Sequence, residues 1–353
     1  MNKTKIVKVD PVNPEEYIIK EASTVINSGG LVIIPTETVY GIAASMLNKK
    51  ALDRLYEIKK RPKDKPFSVI IGDKLKIEEF SRSVPISAYK LVDKFWPGPL
   101  TIILKSKDKG TIGIRMPDNE IALKIISSSS VPIACPSANL SGLEAPIDFQ
   151  GAIKDLSGKV DLAIDGGKAK IGKESSIVDF SVTPPKVVRV GAIAEDIINL
   201  ELNKKTVLFV CTGNSCRSVM AEALLRKIMR EKGRSDVEVL SAGIMILGGL
   251  SATEHTCDIL LREKMDVSEH HSQRATKEMV KKSDLILVME RRHEEKILQI
   301  APEVKNRVFL LKEFAKIDDS DLNIIDPIGK SREFYEGTYE VIKEAVQRVS
   351  NLI

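Results

Sequence analysis

Cysteine is scarce in this chain: four residues among 353, with no disulfide-like spacing, which argues against a cross-linked secreted scaffold and for a reducing cytoplasm. No run approaches the ~18 to 20 apolar residues of a membrane helix, so both halves are expected to be soluble, with no membrane partner. The first residues, Met1-Asn2-Lys3-Thr4-Lys5, lead into no apolar signal core. A Walker loop, zinc-ligand spacing and internal repeats are also missing, so no metal site is expected, and the one biased stretch, Ser127 to Ser130, reads as a loop. What remains is 43% hydrophobic residues, enough for two ordinary cores, in a chain whose length itself favours two domains.

Charge divides the same way. Residues 1–200 hold 29 Lys+Arg against 24 Asp+Glu, whereas residues 201–353 hold 25 of each, so the whole excess of +5 lies in the first part. That balance is compatible with nucleotides or RNA as partners, though alone it discriminates little. Gly191 to Asp196, continuing through Asn203-Lys204-Lys205, is the best linker candidate, separating a domain over residues 10–195 from one over residues 205–353.

Both parts alternate short β-branched runs with helical stretches, which predicts α/β layers. In the first, strands are expected at 31–34, 67–71, 100–104, 111–115, 131–134, 162–164 and 177–180, with helices near 15–27, 51–59 and 87–94. Adjacent strands without an intervening helix make a mixed sheet the expectation there. In the second, strands at 206–210, 237–241, 285–289 and 308–310 alternate with helices near 220–232, 253–264, 293–300 and 335–349. That regularity predicts a small doubly wound parallel sheet.

The most specific segment is Cys211-Thr212-Gly213-Asn214-Ser215-Cys216-Arg217-Ser218, between a strand and a helix. Attack on phosphorus needs a thiolate, and an ordinary cysteine of pKa ~8.5 is mostly protonated at neutral pH; a helix N-terminus and converging backbone N–H groups favour ionisation. Cys211 holds that position. Thr212, Gly213, Asn214, Ser215 and Cys216 form the phosphate loop, with Gly213 allowing close approach and Asn214 suited to a left-handed turn. Arg217 supplies a planar fork for phosphoryl oxygens, and Ser218 can donate to the sulfur. A phosphocysteine also requires an acid for the leaving group, and Asp326-Pro327 suits this, since proline holds the preceding residue extended in a loop. Cys216 reads either as a partner for Cys211 in an oxidative disulfide or as loop packing.

These residues resemble the low-molecular-weight protein tyrosine phosphatase family, with Ser241-Ala242-Gly243 and Val288-Met289-Glu290-Arg291-Arg292-His293 as further landmarks. The resemblance implies Cys211 as nucleophile, Arg217 as phosphate ligand and Asp326 as acid, no cofactor, and a phosphoprotein substrate. Val219 replaces the family's proline after Arg-Ser. Tyrosine-directed members carry paired tyrosines after Asp-Pro, where this chain has Ile328-Gly329; protein-arginine phosphatases carry threonine at the position of Ser215. Phosphoarginine is therefore favoured over phosphotyrosine.

In the first part, Pro35-Thr36-Glu37-Thr38-Val39-Tyr40-Gly41 follows a strand and is expected to precede a helix, an arrangement that offers hydroxyls and backbone N–H groups at a sheet end. Lys59, Lys60, Arg61, Lys63 and Lys65 crowd one loop, closed by Pro62. Thr111 and Arg115 share a strand; Cys135-Pro136-Ser137-Ala138-Asn139, Ser175-Ser176 and Arg189 complete the set. Taken singly, each reads as a cap, turn or surface residue.

Together, in this order and with Trp96-Pro97-Gly98-Pro99-Leu100-Thr101, they resemble the YrdC/Sua5 family of threonylcarbamoyl-AMP synthases over about residues 16–191. The resemblance implies that L-threonine, bicarbonate and ATP, the last with Mg2+, give threonylcarbamoyl-AMP and diphosphate. The product would feed a tRNA threonylcarbamoyl-transferase complex that forms N6-threonylcarbamoyladenosine. Implied ATP-binding residues are Lys59, Arg61, Lys65, Thr111, Cys135, Asn139 and Arg189; implied threonine-binding residues are Thr36, Thr38, Arg115, Ser137 and Ser175. Ile70, Ala145 and Ser176 depart from the family pattern. The competing reading is a double-stranded RNA-binding module with the phosphatase as the only enzyme, and threonine-dependent pyrophosphate release separates the two.

Overall fold

The computed structural model describes residues 3–245 and 249–353, and its contacts divide the chain into two units, Met1–Glu201 and Leu202–Ile353. The boundary falls in the stretch read as a linker, but that stretch is helical over Glu195–Asn203, with acidic residues in its first turn and Ile198 buried. Among the described residues, no helix is long and apolar enough to cross a membrane.

The first unit is built on strands β1 (Lys5–Lys8), β2 (Val32–Ile34), β3 (Gly41–Ser45), β4 (Val69–Ile70), β5 (Leu100–Lys105), β6 (Thr111–Arg115), β7 (Ile133–Ala134), β8 (Leu162–Asp165), β9 (Ser176–Asp179) and β10 (Lys186–Arg189). They form one sheet in the order β1-β8-β2-β3-β7-β4-β6-β5-β9-β10. It is mixed, as the short connections predicted: β5 runs antiparallel to β6 but parallel to β9. Alternation along β2 divides the core. Val32 and Ile34 pack with Ile18, Ala22 and Ile26 of the helix Glu16–Asn27 and with Ile121 and Ile125 of the helix Glu120–Ser128, while Leu31 and Ile33 pack with Leu55 and Phe149 on the opposite face. A strand buried on both sides must read as a continuous apolar run, which is why Leu31 to Ile34 stands out.

The segment after Pro35 to Tyr40 is a strand, β3, and not the helix expected. Gly41-Ile42-Ala43-Ala44-Ser45 is fully buried and pairs antiparallel with β2 and β7, so tertiary burial overrides the helix propensity of its alanines. Gly41 is required by space, because a Cβ there would lie 2.5 Å from the Cys135 sulfur.

The second unit has strands β11 (Lys205–Cys211), β12 (Val237–Gly243), β13 (Leu285–Val288) and β14 (Val308–Leu310) in the order β12-β11-β13-β14, all parallel. Val207 and Phe209 face the helices Arg217–Glu231 and Arg332–Val349; Leu208 and Val210 face the helix Arg291–Ile300. The order reverses at β11, so the crevice at the carboxyl ends of β11 and β13 is the natural ligand site of this topology.

Ser176 belongs to the frame of the first unit. Its buried hydroxyl donates to the Ile193 carbonyl at 2.7 Å and accepts from the amides of Gly191 and Ile193 at 2.9 and 3.0 Å, tying β9 to the chain that follows β10. Ser176→Ala is expected to cost roughly 3 kcal/mol by leaving buried backbone groups unpaired. Urea unfolding followed by fluorescence of Trp96, the single tryptophan, would report this for the first unit alone, and an unchanged midpoint would contradict it.

Candidate active sites

A cavity of about 430 Å³ opens at the sheet ends of the first unit, lined among others by Thr36, Lys59, Arg61, Arg115, Cys135, Ser137, Asn139, Glu174, Ser175 and Arg189. The cations in it are all held by protein oxygens. Lys59, 3% exposed at the end of the helix Lys49–Lys59, donates to the carbonyls of Ser137 and Asn139 and to Asn139 Oδ1, each at 2.7 Å. Burial, with help from the Arg61 charge, lowers its pKa to about 8. Arg61 turns back onto the carbonyls of Lys65 and Pro66 at 2.9 and 3.1 Å and stacks over Phe67. Arg115 donates to Glu37 Oε1 and Thr38 Oγ1, both at 2.7 Å, and Thr38 shares a 3.0 Å hydrogen bond with Thr36. Arg189 donates to Ser175 through its carbonyl at 2.9 Å and its hydroxyl at 3.1 Å, and to Glu174 at 2.9 Å.

Three sequence expectations change here. Thr111 is exposed at the opposite end of β6 from Arg115, opposite Lys105, and does not line the cavity; four residues of strand span about 13 Å. Lys65 offers its carbonyl to Arg61 while its side chain stays exposed, so it too is outside the cavity. Thr38 is buried behind Arg115 and is not on the wall. Cys135 lines the cavity, yet burial pushes its thiol up to about 12, so it serves by shape and not as a nucleophile. Among the departures from the family pattern, Ile70 lines the cavity, whereas Ser176 does not. Glu37, Thr101 and Glu174 were given no role from sequence. Thr101 shares a 2.8 Å hydrogen bond with Ser175, and Glu37 is buried with Oε2 unpartnered.

In the second unit, the loop after β11 ends at Arg217, the first residue of its helix and three residues earlier than expected. Cys211 Sγ lies 3.0 Å from Ser218 Oγ and accepts the Asn214 amide at 3.3 Å. Asn214 takes a left-handed φ of 52°. Its side-chain amide donates to Ser218 at 3.0 Å and Ser241 at 2.7 Å, Gln273 N donates to its Oδ1, and His270 Nε2 donates to its carbonyl at 2.7 Å. Behind the loop, a Cβ on Gly243 would lie 2.8 Å from the Thr212 carbonyl, so β12 must end in glycine here. Cys216 packs beside the hydroxyls of Thr253 at 3.3 Å and Tyr335 at 3.6 Å, and Ser215 is nearly buried.

Arg217 is 1% exposed and fully engaged along one edge. It donates to the carboxylates of Glu290 and Asp326, to the Ile324 carbonyl at 2.7 Å and to Thr212 Oγ1 at 3.1 Å, while its Nε is buried without a partner. Burial pushes the Glu290 carboxyl up, but Arg292 and Arg217 outweigh it and hold the pKa below the ordinary range. His293 Nδ1 accepts the Glu290 amide at 3.1 Å, which places the ring proton on Nε2, 3.0 Å from Thr212 Oγ1. Burial and Arg217 lower the His293 pKa to about 4, so the ring is neutral. Glu290 and His293 stood in a quoted landmark without a role; their three-residue spacing at a helix start was the available signal.

Residues 24–191 match the family model Sua5_yciO_yrdC, described as "Telomere recombination", and residues 206–352 match the model described as low molecular weight phosphotyrosine protein phosphatase. The threonylcarbamoyl-AMP synthase of Pyrococcus abyssi is 40% identical over 188 residues, 51% of this chain and 55% of that protein. A putative threonylcarbamoyl-AMP synthase of Methanocaldococcus jannaschii is 40% identical over 200 residues, 54% of this chain and 95% of that protein. A crystal structure of P. abyssi Sua5 complexed with L-threonine aligns with a TM-score of 0.54 at 26% identity, covering 87% of this chain and 99% of that one. This chain thus spans little more than half of the Pyrococcus synthase it matches. Given the converging cations of the first cavity and the Cys211 loop of the second unit, the chain belongs to the Sua5/YciO/YrdC family in its first unit, and its second unit carries a domain that matches the low-molecular-weight phosphotyrosine phosphatase model.

Proposed function

We propose that the first unit makes threonylcarbamoyl-AMP from L-threonine, bicarbonate and Mg2+-bound ATP, and that the second hydrolyses a phosphorylated protein side chain. The observation that carries the first half is the meeting of Lys59, Arg61, Arg115, Ser137, Ser175 and Arg189 on one cavity. Threonine amine and bicarbonate condense to a carbamate with loss of water. A carbamate oxygen then bonds to the α-phosphorus of ATP while the bond to the β-phosphate oxygen breaks and diphosphate leaves. Arg115, with Thr38 behind it, faces the threonine carboxylate; Thr36, Ser137 and Ser175 on the cavity wall contact the amino acid. Lys59, Arg61 and Arg189 stabilise charge on the phosphates, and Asn139 and Cys135 shape the nucleotide wall. A tRNA threonylcarbamoyl-transferase complex would consume the product. Purified chain with ATP and bicarbonate is expected to yield the adenylate, read by mass, and pyrophosphate with threonine but neither without an amino acid; threonine-independent release would contradict the reading.

For the second unit, the carrying observation is the Cys211 thiol hydrogen-bonded to Ser218 at the start of a helix whose first residue, Arg217, is fixed beside Asp326. The Cys211 thiolate bonds to phosphorus while the bond from phosphorus to the leaving nitrogen or oxygen breaks, and that atom takes the proton carried by the Asp326 carboxyl. Water, deprotonated by Asp326, then attacks the phosphocysteine and releases phosphate. Arginine is favoured over tyrosine as the phosphorylated residue. Ile328, 58% exposed, follows Asp326-Pro327 where a phenyl ring would need an aromatic wall, and Ser215 adds a hydroxyl to the loop. We place both activities in the cytoplasm, whose reducing poise keeps the four unpaired cysteines as thiols. Cys211→Ser is expected to abolish turnover of para-nitrophenyl phosphate while leaving the fold intact; residual turnover near wild type would contradict a cysteine mechanism.

A further inference from the structure

The second unit buries a cation that the scheme above does not use. Lys312 follows β14 as the second residue of the helix Leu311–Phe314, and its side chain is 8% exposed. A lysine is rarely buried unless its ammonium is paired, and replacing such a pair by apolar side chains often costs no stability, so what the pair contributes is geometry. Here both oxygens that receive the ammonium belong to one segment of chain. Nζ donates to Asp319 Oδ2 at 2.5 Å and to the Asp321 carbonyl at 2.7 Å. The hydrogen bond from Lys312, with that from the Asp321 amide, holds the Asp319 carboxyl below the ordinary range, so the tie is an ion pair at neutral pH.

That segment leads to Asp326. Residues 315–331 form no helix or strand, and Asp318, Asp319, Ser320 and Asp321 are all exposed, so apolar packing does not hold them. Hydrogen bonds carry the order onward. Asp319 Oδ1 accepts the Asp321 amide at 3.1 Å, Asp321 Oδ1 accepts both the amide and the side chain of Asn323 at 2.9 Å, and Asn323 Oδ1 accepts the Arg291 amide at 3.0 Å. Ile324 then docks the loop on the site: its amide donates to the Met289 carbonyl at 2.8 Å, and its carbonyl accepts from Arg217 at 2.7 Å. Two residues later, Asp326 pairs with the same guanidinium. A general acid must stand within hydrogen-bond reach of the atom it protonates, and a misplacement of about 1 Å can cost roughly a hundredfold.

We infer that Lys312 is a positioning residue for the acid step: its ammonium ties the exposed segment 318–321 to the end of β14 and thereby sets where the Asp326 carboxyl meets the leaving atom. This rests on the reading of Asp326 as the acid. Loss of the tie impairs proton delivery and spares attack by Cys211, whereas general damage to the fold impairs both.

Leaving groups separate the two outcomes. Phenolate needs the proton, 2,4-dinitrophenolate leaves without one, and kcat/KM reports the steps up to and including cysteine phosphorylation. Lys312→Met removes the ammonium and keeps a long apolar stem. On the full chain, kcat/KM for phenyl phosphate is expected to fall by at least about tenfold while that for 2,4-dinitrophenyl phosphate stays within about twofold of wild type. In an Asp326→Asn background, the same substitution is expected to add less than about twofold on phenyl phosphate, because the group it positions is gone. Should Lys312→Met not fold, Asp319→Asn carries the test, since that side chain is exposed: about a threefold loss on phenyl phosphate with the dinitrophenyl ester unchanged is expected. Equal losses on the two esters, no loss on phenyl phosphate, or a full additive loss in the Asp326→Asn background would overturn the inference. Asp326→Asn alone that lowers both esters equally would overturn the acid reading, and this inference with it.

Discussion

Each site depends on cations held in place by protein oxygens. Three acceptors fix Lys59, two backbone carbonyls fix Arg61, and Glu290, Asp326, Thr212 and the Ile324 carbonyl fix Arg217. Burying a charge without such partners would be prohibitive. With them, the positive charge is already oriented where negative charge develops during phosphoryl chemistry, and little reorganisation is needed at the moment of reaction. The neutral His293 belongs to the same design, because a second positive ring beside Arg217 would compete for Glu290.

The two units reach this end by different geometry. In the second, one turn does nearly everything: Cys211 to Ser218 places nucleophile, anion nest and arginine within eight residues, at the point where the strand order reverses. In the first, the cavity is assembled from residues at the ends of β2, β6, β7, β9 and β10 together with Lys59 and Arg61 at the end of the helix Lys49–Lys59, all carried by one mixed sheet and the helix packed on it. A local motif tolerates change elsewhere. An assembled cavity depends on frame contacts such as those of Ser176 and Gly41.

That difference also explains what could be read from the sequence. The second unit's strands and helices alternate with clear periodicity, and its four strands and main helices fall where the pattern put them. In the first unit, β3 was hidden because alanine and glycine carry no strand preference, and β1 and β10 because Lys5–Lys8 and Lys186–Arg189 are short and edge-placed. The family resemblance implied Thr111 and Lys65 as nucleotide contacts; strand length sets Thr111 at the far end of β6 and the turn of Arg61 onto the Lys65 carbonyl leaves the Lys65 side chain exposed, so neither lines the cavity. Conversely, the carboxylates Glu37 and Glu290 sat unremarked inside quoted motifs, and Glu174 directly before one, because an acid beside anion-binding residues looks unfavourable until the arginine it holds is seen.

The most direct test is to measure both activities on the full chain carrying Lys59→Met or Arg217→Met, since each removes one fixed cation and keeps a long apolar stem. Lys59→Met is predicted to lower adenylate formation by at least about a hundredfold with phosphatase turnover unchanged, and Arg217→Met to do the reverse. A folded variant that keeps near-wild-type activity in the unit it alters would contradict the claim that these held cations drive the chemistry.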